Sequence, residues 1–378
     1  MENTYISNNR EPQYRQLTSL VIYLFVCLCF IIKYSARINT LSIPLFCILF
    51  ITFVWLVYKS NFNNKLITIV MLLYSLAFGI IVPLIFPVGT FNLDRWDMIE
   101  AFNNALIHGE YPYSQRGIIS DNQPAQSPVY FLLCFPFYLT KWYVGIPLVG
   151  MWLFYWCLNR LNFVRNKNTT LLPCLFSPFF IYETLTCSSI FFNSALLLLW
   201  ITFIKQGMFN SPGKYIIHGI IGGFLLCTRN CFAIPILIIW ITMIKTNSSK
   251  LNIFIWGISI ALTFFLLYLP FIFGWGPETW INANPFKVQT NIILGIPTII
   301  IIFMGSIISS LYSKDLVTAI FLSGLWLFLS AFFTFIETIF RHGFQKAYVS
   351  SHFDITYLIL GIPFIACFLF HKKLNLTN

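Results

Sequence analysis

Charge is scarce in this chain. Of 378 residues only 9% are charged, and twelve are acidic. Soluble domains carry about 25% charged residues, so a water-soluble fold is excluded. No stretch is long and polar enough to fold apart from the apolar remainder. There is no CxxC pair and no Cys/His grouping with metal spacing, although ten cysteines are present. Cys27, Cys29, Cys47, Cys134, Cys157 and Cys367 lie inside apolar runs and are expected to be small apolar filler in helices. Glycine-rich phosphate loops are missing, so a nucleotide donor is not indicated. Internal repeats and low-complexity segments are also missing. The polar N-terminus, up to about residue 18, lacks a small-residue cleavage site, so the first apolar run is expected to be a retained helix.

What is present is hydrophobicity, at 58% of residues, in repeated blocks near the roughly 20 residues that a spanning helix needs. Candidate spans fall at 17–33, 41–58, 66–86, 143–158, 171–187, 190–206, 215–229, 231–245, 251–273, 289–309, 316–338 and 353–370. The fold expected is all-α, a polytopic membrane protein of about 12 transmembrane helices forming one integral membrane domain over 1–378. Residues 1–86 form its N-terminal spans, 87–127 a large loop and 128–378 the remaining spans. Residues 128–158 must cross an odd number of times, yet Lys141 splits them into two apolar runs. Either the run 128–139 lies in or re-enters the interface, or the chain crosses once at a steep tilt. Prolines within apolar runs, such as Pro136, Pro173, Pro178 and Pro363, are tolerated where neighbouring helices satisfy the freed backbone groups. Gly219 and Gly223 have the GxxxG spacing of close helix packing within the protein.

The charge that exists is unevenly placed. Residues 87–127 hold Asp94, Asp97, Glu100, Glu110 and Asp121 against Arg95 and Arg116, a net −3; with a total of +11, the rest sums to +14. That excess sits in short loops around Arg10, Arg15, Lys59, Lys65, Arg160, Arg165, Lys167, Lys205, Lys214, Lys245, Lys250, Lys314, Lys372 and Lys373. It reads as the signature of cytoplasmic loops rather than of nucleic acid binding. With those loops inside, both termini are inside and the 87–127 loop is outside, as are turns near 188–193, 229–230, 274–287 and 341–354.

Within the acidic loop the residues from Asp94 to His108 have helical period. Met98, Ile99, Phe102, Ala105 and Leu106 share one face, and Asp97, Glu100, Asn103, Asn104 and His108 the other. The pattern predicts an interfacial amphipathic helix lying flat on the membrane, ended by Gly109 and followed by an extended Tyr111-Pro112-Tyr113 exit. Asp94 has two compatible readings, a helix N-cap and a carboxylate able to take a proton from a hydroxyl nucleophile. Other polar residues lie where they are rare: Glu183 late in an apolar run, Asn193 in the next, and Arg229 between two runs. Glu183 is either functional or a partner for Arg229. His342, Lys346, His352 and Asp354 collect in the last outside turn, as solvated loop or as part of a site. Basic groups near an outside acidic site suit a lipid phosphate or diphosphate as leaving group.

Asp94, Ala101, Gly109 and Pro112-Tyr113 carry a resemblance to a family. The chain resembles the GT-C superfamily of membrane glycosyltransferases, which use polyprenyl-phosphate sugars. It looks closest to the mannosyltransferase-like bacterial branch and to GPI mannosyltransferase I. Those proteins carry an Asp in the first large outside loop, an Ala seven residues later, then a Gly and a Pro-Tyr pair. Looser similarity lies at 123–136, from Pro178 to Asn193, around Arg229, at 269–271 and at 284–286. The resemblance spans most of the chain, but only Asp94 to Tyr113 is specific. It departs from the family in having three apolar runs before the loop, where the family core usually has one.

The resemblance implies a hexosyltransferase in which a polyprenyl-phosphate-linked hexose, with mannose a candidate, is transferred to a glycan or lipid acceptor at the outer face of a bacterial cell membrane. Asp94 would be the general base. Asp97, Tyr113, Glu183, Arg229, Lys287, Arg341 and His352 are the candidates for substrate binding; Arg229, Lys287 and Arg341 would hold the lipid phosphate. Asp94-Arg95-Trp96-Asp97 is not a DxD, so the spacing indicates no cofactor and puts a metal-bridged donor in doubt, with a divalent cation left open. A transporter or flippase of envelope polysaccharide precursors is the rival reading. It predicts an internal repeat and does not predict the acidic helix with its Gly109 to Tyr113 exit. A glycan polymerase or ligase would carry a large basic outside loop, whereas this one is acidic.

Overall fold

The computed structural model describes residues 10–36, 39, 42–87, 89–90, 94–164, 166–205, 211–246, 249–290 and 295–370. Arg165, Lys372 and Lys373 lie outside them. Every element is helical, with no strand among the described residues. Five helices are long and apolar enough to cross a membrane: Gln13–Ser35, Ser42–Lys59, Asn64–Ile85, Lys250–Phe273 and Leu316–His342. Two bent pairs raise the number to seven if each is one span: Pro128–Thr140 with Gly145–Arg160, and Pro178–Leu185 with Ile190–Lys205. Gly213–Leu226, Asn230–Thr246, Ile296–Tyr312 and Ile355–Ala366 are apolar but shorter.

Local chemistry sets several of these boundaries. Asp315 accepts the Thr318 N–H at 2.7 Å and starts Leu316–His342. Gly343, at φ +81°, follows its last turn. Asn63 caps the helix beginning at Asn64 by accepting the Leu66 N–H at 2.7 Å, and Ser177 caps Pro178–Leu185 through the Phe180 N–H at 3.1 Å. Pro128, Pro178 and Pro212 each open a helix, where a missing N–H leaves no bond unmade.

Burial separates core helices from a periphery. Nearly every residue of Ile190–Lys205 is buried, and its neighbour Gly145–Arg160 is half so. By contrast Ser42–Lys59 is only 17% buried, and Asn64–Ile85 and Lys250–Phe273 only 22%, against 50% for Gln13–Ser35 and Leu316–His342. Apolar helices so exposed are suited to contact with lipid. The GxxxG pair works inside the protein. A Cβ on Gly219 would lie 2.4 Å from the Ser259 Cβ, and one on Gly223 would lie 2.6 Å from the Thr263 Cβ, so Pro212–Leu226 closes directly onto Lys250–Leu266.

The polar segments sort to two ends. At one end Arg15 Nη2 donates to Thr318 Oγ1 at 2.9 Å and Asn168 Nδ2 to the Phe62 carbonyl at 2.7 Å. Asn166 Nδ2 reaches the Phe370 carbonyl at 3.1 Å, Lys245 Nζ the Ser313 carbonyl at 3.0 Å, and Lys205 lies over the Phe163 ring. This is the basic end. The opposite, acidic end gathers Asp94–Ile107, the loop after it, Pro128, Asn230, Ala283 and residues 343–356. There the Tyr111 hydroxyl donates to the Ala283 carbonyl at 2.6 Å, Trp275 Nε1 to the Gly109 carbonyl at 2.9 Å, and Lys33 lies over Tyr348.

Pro128–Thr140 and Gly145–Arg160 meet at 119°. Residues 128–158 are therefore not one straight tilted helix; the first run turns at Lys141, at φ +54°, and lies against Asp94–Ile107. Phe102 and Phe131 stack at 4.0 Å across that contact.

Candidate functional site

The helix expected from Asp94 runs from Asp94 to Ile107. Its end is a complete glycine motif: Gly109 at φ +74° donates to the Leu106 carbonyl at 3.3 Å, and the Glu110 N–H to the Ala105 carbonyl at 2.9 Å. The expected extended exit is instead a short 3-10 turn, Pro112–Ser114.

The polar face of this helix differs from the expectation of a solvated surface. Asp97 is 2% exposed and Asn103 fully buried. Asn103 Nδ2 donates to the Ile99 carbonyl at 2.9 Å and to the Phe131 carbonyl at 3.3 Å. Glu100 takes Lys141 Nζ at 2.7 Å and the Tyr143 hydroxyl at 3.2 Å. Helical period marks polar positions, but a polar loop and a second helix, rather than water, supply most of their partners; the Asn103 Oδ1 is buried without one.

Asp94 occupies the first position of the helix, where the unpaired N–H groups favour negative charge. Its Oδ2 accepts from Asn122 Nδ2 at 3.2 Å. Burial pushes the Asp94 carboxyl pKa up; Arg95 and Asn122 oppose that shift, and Asp354 adds to it. The group thus holds its proton more readily than a free aspartate, as suits a base that must accept one.

Arg95, which the sequence reading did not single out, ties this end together. It is ion-paired with Asp354 at 2.9 Å and donates to Thr186 Oγ1 at 2.9 Å and Thr356 Oγ1 at 3.0 Å, with its guanidinium over Tyr182. Burial alone would raise the Asp354 pKa, but Arg95 and the hydrogen bonds from Thr356 together outweigh it, and the carboxyl lies below its ordinary value. One side chain thereby joins the helix, the end of Pro178–Leu185 and the C-terminal segment.

Arg229 is the counterpart without a carboxylate. It forms no ion pair among the described residues; its one hydrogen bond is a long 3.5 Å contact from Nη2 to Ser189 Oγ. Its Nε is buried with no partner. The guanidinium lies 5.8 Å from the Tyr130 ring and 5.9 Å from Tyr357. Ser189 Oγ also donates to the Tyr130 hydroxyl at 3.1 Å. Tyr357, 5.9 Å from the Arg229 guanidinium, is also acted on electrostatically by Arg95, Asp354 and Asp94. A guanidinium so placed has donors to spare for an anion.

The other expected site residues lie elsewhere. Asp97 turns its carboxylate onto the loop after the helix, accepting the N–H groups of Ile118, Ile119 and Ser120 at 3.0, 3.1 and 3.0 Å and the Ser120 hydroxyl at 3.0 Å. Four donors leave it little capacity for a ligand. Tyr113 is fully buried among Phe102, Phe271 and Trp280, its hydroxyl donating to the Gln126 carbonyl at 3.1 Å. Glu183 is 0% exposed, and both its oxygens are taken, by the Ser188 hydroxyl and by the Phe191 N–H at 2.9 Å. It caps Ile190–Lys205 at the 110° elbow rather than forming an ion pair with Arg229.

Lys287 is exposed and donates from Nζ to the Asn282 carbonyl at 3.1 Å. Arg341 is ion-paired with Glu337. His352 is exposed, its ring 5.3 Å from His342. None of these three is joined to Asp94 or Arg229 by a described contact. Among the described residues no group of three His, Cys, Asp or Glu side chains could hold a metal ion. All ten cysteines are free thiols, mostly buried.

Asn122, Tyr130 and Tyr357 join the candidate site with no sequence pattern that marks them, and Asp354 with only a collective one. Asp354 had a signal: it is a carboxylate in the last outside turn. No protein-family model matches the chain, and comparison with curated proteins and with solved structures likewise finds no match.

Proposed function

We propose that this protein is a membrane glycosyltransferase that moves a hexose from a polyprenyl-phosphate carrier to an acceptor hydroxyl at the outer face of a cell membrane. In this reading the basic end faces the cytoplasm. Each apolar segment then runs from one end to the other, twelve crossings in all, with residues 128–160 and 167–185 crossing as broken helices. The observation that carries the reading is a guanidinium without a carboxylate partner among the described residues, Arg229, at the same end of the molecule as the Asp94 carboxylate.

The acceptor hydroxyl gives its proton to Asp94 as its oxygen bonds to the sugar's anomeric carbon. The bond from that carbon to the phosphate oxygen breaks, and its electron pair leaves with the polyprenyl phosphate. The charge gained there is borne by Arg229, with Ser189 and Tyr130 as neighbouring hydroxyls. Fixed donors aimed at developing charge are among the strongest catalytic devices known.

The test is transfer from a radiolabelled polyprenyl-phosphate hexose in membranes. Asp94→Asn keeps the side chain's shape and is expected to lower the rate by about 10²–10⁴-fold, the usual worth of a general base. A folded variant that transfers at the parental rate overturns the mechanism.

A further inference from the structure

The Asp97 carboxylate does not touch Asp94, yet the two are linked through one loop. Asp97 gathers the N–H groups of Ile118, Ile119 and Ser120 and the Ser120 hydroxyl. Gly117 lets the loop approach so closely: a Cβ there would lie 2.1 Å from Asp97 Oδ2. The loop closes on itself, the Gly117 N–H donating to the Asn122 carbonyl at 3.0 Å and the Asp121 N–H to the Gly117 carbonyl at 3.1 Å. Arg116 Nη1 adds bonds to the Asp121 carbonyl and carboxylate, each at 3.1 Å. Asn122 at its far side then points Nδ2 at Asp94 Oδ2, 3.2 Å away.

We infer that Asn122 is a positioning residue for Asp94, and that Asp97 acts on Asp94 only through the loop that carries Asn122. The inference rests on Asp94 being the proton acceptor proposed above. A neutral amide donor favours the ionised carboxylate, and a loop pinned by several charge-assisted bonds holds that donor in place. Asn122 therefore fixes the Asp94 rotamer and sets how readily it takes a proton. The charged and titratable groups facing Asp94 are Arg95 on its own helix and Asp354 and Tyr357 from the C-terminal segment. None of these belongs to the 116–122 loop, so changes in the loop leave them in place.

The experiment is labelling of the full-length protein in detergent with dicyclohexylcarbodiimide, which reacts with protonated carboxyl groups, across a pH series. Modification of Asp94 is read by peptide mass spectrometry. Asn122→Ala is expected to raise labelling of Asp94 about threefold at a fixed pH above its midpoint, the effect of losing one ordinary neutral hydrogen bond on a protonation equilibrium. Asn122→Asp, which sets a second negative charge there, is expected to raise it further. Asp97→Asn is expected to match Asn122→Ala, and the double variant to add nothing. Unchanged labelling in Asn122→Ala overturns the positioning role. An additive double variant overturns the route through the loop. Because labelling needs no turnover, shifted labelling in a protein that transfers no sugar counts against the glycosyltransferase reading and leaves the positioning role standing.

Discussion

The two ends of the molecule use charge in opposite ways. At the basic end Arg15 and Lys245 each bind a hydroxyl or a carbonyl, and Lys205 covers a ring. At the acidic end charges are interlocked: Arg95 with Asp354 and two threonines, Asp97 with a loop, Glu183 with a helix start. Acidic-end charges act singly through geometry. Arg229 fits neither pattern, being part-buried, with its Nε out of reach of water, but without a carboxylate partner among the described residues.

Breaking the interlocked group should have the largest effect on stability. Glu183→Ala leaves the Phe191 N–H and Ser188 hydroxyl unpaired in a fully buried elbow and is expected to cost about 3 kcal/mol, visible as a lowered Tm in detergent. Arg95→Met strands a half-exposed Asp354 and should cost about 2 kcal/mol, below the range for fully buried pairs because water reaches that carboxylate. Arg229→Met sharpens the comparison, since a guanidinium with an unpaired Nε contributes little to stability. Its stability is expected to stay within about 0.5 kcal/mol of the parent or rise, while sugar transfer falls; a large loss of Tm would show that Arg229 belongs with the interlocked charges. Lys245→Met, at the basic end, is expected to change stability by less than about 0.5 kcal/mol and leave transfer intact.

pH distinguishes two carboxylates of the acidic end. The Asp354 pKa is lowered in the folded state, so its contribution is present above the unfolded pKa and is lost as pH falls through the folded one. Asp94 is raised, so it favours the fold while protonated and ceases to do so as pH rises through its folded value. Asp354→Asn should therefore flatten the loss of stability on acidification, measured by thermal unfolding at a series of acid pH values. Asp94→Asn should not.

Much of the scaffold was legible in the sequence. Apolar length marked the long helices, period and Gly109 marked Asp94–Ile107 and its end, and the spacing of Gly219 and Gly223 marked a close helix contact. These are local signals, carried by residues a few positions apart. Of the residues that make up the candidate site, only Asp94 and Arg229 stood out in the sequence for the place each holds in it. Arg95 and Asp354 are 259 positions apart, and no periodicity relates them. Asp97 and Glu183 were recognised as polar residues in unusual places, but what satisfies them is backbone N–H, which every residue but proline carries and no sequence pattern displays.

The loop held by Asp97 has a consequence for how this protein can vary. Its three N–H contacts are blind to side-chain identity, so positions 118 and 119 are open to substitution, and Ile118 already projects almost wholly into its surroundings. Position 117 admits no side chain, and position 97 admits no group that cannot gather several donors at once. Natural variants of this chain should therefore drift freely at the tip of the loop while the two residues that anchor it change together or not at all.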